Sequence, residues 1–168
     1  MGKYSEGIHL ILIADSSALI TLAVCDSLYL LDLLFKEVKV PRAVYTEVIR
    51  ESKKEADKLN DYLSNKVITL EIERDNIIKE GTIEIGELEA MLLYKQLKAN
   101  RLLVDDRRAR KVAELNQIKI IGSLGVLLLS KKEGHITHIK TRIEMIKNSD
   151  IYLSEELLQR IMSLAGER

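Results

Sequence analysis

Cysteine, proline and phenylalanine each occur once, tryptophan is absent, and 26 basic residues cancel 26 acidic ones. With Cys25 alone no intramolecular disulfide can form, and its neighbours Leu22, Ala23 and Val24 mark a buried structural thiol. That usage fits a reducing cytoplasm. With one proline and no Gly/Ser-rich tract there is no linker at which to divide the 168 residues, a length that suits one domain with a proper core. The apolar run at residues 8–14 is too short to span a bilayer and lacks signal-peptide cues, so no membrane association is expected. Zero net charge means that any nucleic-acid surface must be a local basic patch. Neither a P-loop nor a G-x-G-x-x-G sequence occurs, which argues against nucleotide-driven chemistry. Gly122-Ser123-Leu124-Gly125 lacks the spacing of a nucleophile elbow. His135 and His138 have no cysteine or strong third ligand nearby and read as surface residues.

What is present is an alternation of short apolar strands and amphipathic helices. Ile8 to Ala14 reads as a strand buried on both faces, ending at Asp15, with Ser16 or Ser17 to cap the next helix. Asp26-Ser27 starts a helix through Phe35. Val38 to Val40 is a strand, and Pro41 opens a helix carrying Val44, Glu47, Val48 and Ile49. A charged helix over 53–63 and a strand over 67–70 follow. The next helix, 84–98, puts Ala90, Leu93, Tyr94 and Leu97 on one face. Then come a strand at 102–104, a helix over 106–114, a strand at 118–121 and a helix over 124–130 that Gly134 ends. Helices over 136–147 and 154–164 close the chain. This order predicts an α/β sandwich with a central parallel sheet, its ligand site beyond the carboxyl ends of the strands. The apolar helices at 28–35 and 124–129 fit either a dimer face or ordinary core packing.

Four acidic positions adjoin these apolar segments: Asp15, Glu47, Glu87 with Glu89, and the pair Asp105-Asp106. A buried carboxylate must be paired, hydrogen-bonded, protonated or metal-bound. Hard divalent cations, Mg²⁺ or Mn²⁺, take a few such oxygens and keep several waters, which is what a metal-dependent nuclease requires. Glu87 and Glu89 diverge by about 200° on a helix, so only one can serve; Glu87, a turn before Ala90 and Met91, is preferred. Each acid also has a plainer reading. Asp15 can cap a helix, Glu47 can pair with Arg50, and Asp105-Asp106 can favour a helix N-terminus. Arg107, Arg108, Arg110 and Lys111 follow that pair, where cations oppose the helix dipole. They would meet RNA phosphates or pair with Asp105, Asp106 or Glu114. Ser17 would support a metal-bound water or serve as a cap.

The runs Asp15-Ser16-Ser17-Ala18-Leu19-Ile20, Pro41-Arg42-Ala43-Val44-Tyr45-Thr46-Glu47-Val48 and Leu102-Leu103-Val104-Asp105-Asp106 resemble the successive motifs of PIN-domain ribonucleases. The likeness covers about Ile11 to Gly134 and implies a PIN-like three-layer sandwich over 1–134. The helices of 135–168 are expected to pack on the same domain. It further implies Mg²⁺- or Mn²⁺-dependent cleavage of single-stranded RNA by Asp15, Glu47, Glu87 and Asp105, and often a homodimer. Many relatives are VapC-type toxins held inactive by a partner antitoxin. Two departures stand out: Glu87 occupies a position where Asp is usual, and Val-Asp-Asp replaces Thr-x-Asp, so Asp105 and Asp106 compete for the fourth position. With Gly86-Glu87 and Gly122-Ser123-Leu124-Gly125, this resembles a less characterised PIN-like branch. A non-catalytic RNA-binding or protein-interaction module is the alternative.

Overall fold

The computed structural model describes residues 11–51, 54–71, 77 and 81–168. The beginnings expected at Ile8 for the first strand and Lys53 for the charged helix lie outside these residues.

Five strands form one all-parallel sheet in the order β3-β2-β1-β4-β5: β1 (Ile11–Ala14), β2 (Glu37–Pro41), β3 (Val67–Ile68), β4 (Arg101–Leu103) and β5 (Ile120–Ile121). Among the described residues nine helices flank it: α1 (Ser16–Val24), α2 (Tyr29–Leu34), α3 (Arg42–Glu51), α4 (Ala56–Leu63), α5 (Ile85–Gln96), α6 (Arg107–Leu115), α7 (Ser123–Lys132), α8 (Lys140–Lys147) and α9 (Glu155–Leu164). The result is a three-layer sandwich of the PIN-like kind. No described helix is long and apolar enough to cross a membrane.

Alternation along β1 explains the layers. Leu12 and Ala14 join one core cluster, with residues of α1, α2, α3, α4, α7, α8 and α9. Ile13 joins the other, with Leu102, Val104 and residues of α5 and α6. Both faces of the central strands are therefore dry, and their sequence is an unbroken apolar run rather than an alternating one. Ile143 and Ile146 of α8 and Leu158 and Ile161 of α9 belong to the first cluster, so these helices pack on the same core as β1. Their far end is stapled: Glu167 accepts from Lys131 Nζ at 2.7 Å and from the amides of Ile139 and Lys140 at 2.8 and 3.0 Å. Most of the apolar surface of α2 and α7 is used in this core, since Leu30, Leu31, Leu34, Leu124, Val126 and Leu127 are buried.

Several boundaries differ from those the sequence suggests. Asp15 itself is the residue before α1, without a side-chain cap bond, and Ser16 and Ser17 are already helical. Asp26 takes a left-handed conformation (φ 51°) and Ser27 bonds back to the Cys25 carbonyl, so α2 begins only at Tyr29. Pro41 ends β2, opposite Ile68, instead of opening α3. Ile136 and Ile139 are buried outside a helix, and α8 starts at Lys140. Cys25 is 1% exposed, and burial pushes its thiol up from the usual range.

Candidate active site

The strand order reverses between β1 and β4, because the chain runs β1-β2-β3 to one side and returns with β4 on the other. In such sheets the crevice beyond the carboxyl ends at that point is the natural ligand position. Asp15 follows β1 there, and its amide donates to Leu103 O at 2.9 Å, extending the β1–β4 ladder. Its carboxyl is left in the interior: the residue is 2% exposed and its Oδ1 has no hydrogen-bond partner. Burial, then the charges of Glu87, Glu47 and Asp106, push this carboxyl from 3.8 to about 7, against the easing effect of the Ser16 amide.

Glu47 reaches the same place from α3. Its Oε1 accepts from Ser16 Oγ at 3.1 Å, so the serine next to Asp15 orients it. Glu87 comes from the first turn of α5, where it forms a capping box with Glu84 and accepts from the Glu84 amide at 3.1 Å. Burial raises the Glu87 carboxyl, Asp106 and Glu84 add to the rise, and the Arg108 charge offsets part of it. Gly86 lets these two helices meet: a Cβ there would stand 3.0 Å from Glu47 Oε2. Glu89 is committed elsewhere, accepting from the Ala43 amide at 3.2 Å at the start of α3.

Asp105 and Asp106 diverge. Asp106 caps α6, accepting from the amides of Arg108 and Ala109 at 3.0 and 2.9 Å. This cap offsets the cost of placing Arg107 and Arg108, both exposed, in the first turn. Asp105 turns to α7 and accepts from both the amide and the hydroxyl of Ser123, at 2.8 and 2.6 Å. Ser17 supports the pair from below, its hydroxyl accepting from the amides of Asp105 and Asp106 at 3.3 Å each.

Thus Asp15, Glu47, Glu87 and Asp106 share one electrostatic neighbourhood that Arg108 borders, Ser17 and Asp105 join it through the Asp105-Asp106 turn, and Arg107 lies exposed at the start of α6. Among the described residues no three His, Cys, Asp or Glu side chains converge into a ready-made metal cage. The donor set nonetheless fits a hard cation. It consists of carboxylate oxygens, one of them buried without a partner, in a cluster whose charges raise the proton affinity of Asp15 and Glu87. Sequence reasoning missed Ser16 and Ser123 as partners of the acids. Ser123 was signalled only by the Gly122-Ser123-Leu124-Gly125 run, and nothing in the pattern set Ser16 apart from an ordinary cap. His135 and His138 lie exposed.

The family comparison agrees with this geometry. A family described as PIN domain matches residues 11–167, which takes in the C-terminal helices as well as the acidic residues. No curated protein and no solved structure matched the chain. A match over nearly the whole chain, on a parallel sheet with acids gathered at its switch point, places it: the chain belongs to the PIN-domain family.

Proposed function

We propose that this chain is a metal-dependent endoribonuclease that cleaves single-stranded RNA. PIN domains are generally nucleases. The observation that carries the reading is Asp15, a buried carboxyl with one unpartnered oxygen set beside the charges of Glu87, Glu47 and Asp106. Such a group is costly to the fold on its own and useful to a ligand that brings positive charge. Asp15, Glu47, Glu87 and a carboxylate of the Asp105-Asp106 pair would hold Mg²⁺ or Mn²⁺. The ion supplies the charge that activates water and stabilises the oxygens of the phosphodiester.

The chain's own residues do the rest. Ser16 orients Glu47, Ser17 fixes the turn bearing the two aspartates, and the exposed Arg107 and Arg108 offer cations to RNA phosphates at the edge of the acidic site. Restraint by an antitoxin and assembly as a homodimer belong to the same proposal; sedimentation of the purified chain addresses the second.

The test compares wild type with Asp15→Asn on single-stranded RNA, with Mn²⁺ or with chelator. Cleavage is expected from wild type with Mn²⁺ only. Asp15→Asn should fall by at least the ~100-fold seen when a metal site loses a supporting group. A variant that cuts as fast as wild type removes Asp15 from the chemistry. One observation favours a second reading, a non-catalytic RNA-binding or protein-interaction module: Glu87 and Asp106 already serve as helix caps. RNA bound by both proteins and cut by neither would support it.

A further inference from the structure

The two adjacent aspartates after β4 are held in opposite ways. Each carboxylate oxygen of Asp105 has its own donor, Oδ1 from the Ser123 amide at 2.8 Å and Oδ2 from the Ser123 hydroxyl at 2.6 Å. Ser123 is the first residue of α7 and is 2% exposed, and the residue before it, Gly122, has no side chain with which to cap. A helix N-terminus needs an acceptor for its orphan amides and favours negative charge. Asp105 supplies both from another element, 18 residues away. Gly122 makes the approach possible, because a Cβ there would stand 3.1 Å from Asp105 Oδ1 and 3.3 Å from an Arg110 guanidinium nitrogen. Asp106, by contrast, uses only Oδ1 for its two capping bonds.

We propose that Asp105 is a positioning residue, locked by Ser123 so that the end of β4 is tied to the start of α7 and Asp106 supplies the fourth carboxylate beside Asp15. The assignment of Asp106 rests on the acidic-site reading above; the tie itself does not. Both capping bonds of Asp106 fall on Oδ1, which leaves its other carboxylate oxygen for a cation. Ser17 completes the device by holding both aspartate amides, so the turn is fixed from α1 and α7 at once.

Asparagine separates the two roles. In Asp105→Asn the amide oxygen still accepts from the Ser123 amide and the new NH₂ can donate to the Ser123 hydroxyl, so the tie survives while the charge is lost. Titration calorimetry with Mn²⁺ alone should therefore find Asp105→Asn within about fivefold of wild type, as for a screened neighbouring charge. Asp106→Asn should bind about a hundredfold more weakly, and Asp105→Ala, which breaks the tie, about tenfold. If Asp105→Asn loses as much as Asp106→Asn, Asp105 is a ligand and the proposal falls. The tie is read separately, in chelator, by hydrogen exchange of the Ser123 amide. Asp105→Ala should speed that exchange about tenfold and Asp105→Asn should not. Unchanged exchange in Asp105→Ala overturns the tie. Wild type that binds no Mn²⁺ overturns the acidic-site reading and the Asp106 assignment with it, while the exchange result still judges the tie.

Discussion

Asp15 gives the β1–β4 ladder a backbone amide and charges the interior for its side chain. Its carboxyl is raised from 3.8 to about 7, so the folded chain holds a proton that the unfolded chain has released. Folding is then fully supported by this group below about pH 3.8, and the support is lost as pH rises through about 7. In chelator, Asp15→Asn should melt roughly 5 °C higher than wild type at pH 8 and close to it at pH 4, in calorimetric scans at both. Equal melting at pH 8 would mean that the carboxyl is not strained by its surroundings. The same reasoning gives cations a stabilising role: Mn²⁺ at a hundred times its Kd should add about 2.7 kcal/mol to wild type. In Asp15→Asn that gain should shrink.

Between elements, two side chains on α5 have separable roles. Glu89 satisfies an amide at the start of α3, so Glu89→Ala should cost about 1 kcal/mol in urea unfolding yet leave RNA cleavage in place. Gly86→Ala should do the reverse. Alanine suits a helix better than glycine by about 1 kcal/mol, but its Cβ falls 3.0 Å from Glu47 Oε2 and must displace that carboxylate. Stability should hold while cleavage drops. On α6, Arg108→Glu should weaken RNA binding in a filter assay; unchanged binding would reject Arg108 as a phosphate contact. The strands were legible because burial on both faces leaves apolar runs such as Leu102 to Val104, and Asp15 and the Asp105-Asp106 pair because they stand at the ends of such runs, whereas Glu47 and Glu87 sit on helices beside apolar residues. Boundaries were not legible. Pro41 satisfies a strand end as well as a helix start, and the buried Ile136 and Ile139 have a spacing that an irregular turn also accommodates. The different aims of Asp105 and Asp106 were hidden for another reason: they are set by Ser123, a contact no local period reveals.

For the whole molecule, the C-terminal staple acts on stability with the opposite sign to Asp15. Burial would raise the Glu167 carboxyl, but Lys131 and the amides of Ile139 and Lys140 hold it at about 2. Its contribution is present above the ordinary value of 4.5 and lost as pH falls towards about 2. Glu167→Gln should therefore melt below wild type at pH 7, with the gap narrowing as the solution is acidified. The sheet order has a consequence for synthesis. β1 lies at the centre, and β4, its partner on one side, is made only after β2 and β3, the two strands on the other side. Pairings this distant close slowly and late. A chain still on the ribosome carries Asp15 and Glu47 with one edge of β1 bare, and neither Asp106 nor the Leu103 carbonyl has yet arrived. The acidic neighbourhood of Asp15 is therefore complete only once β4 and the turn after it have been made.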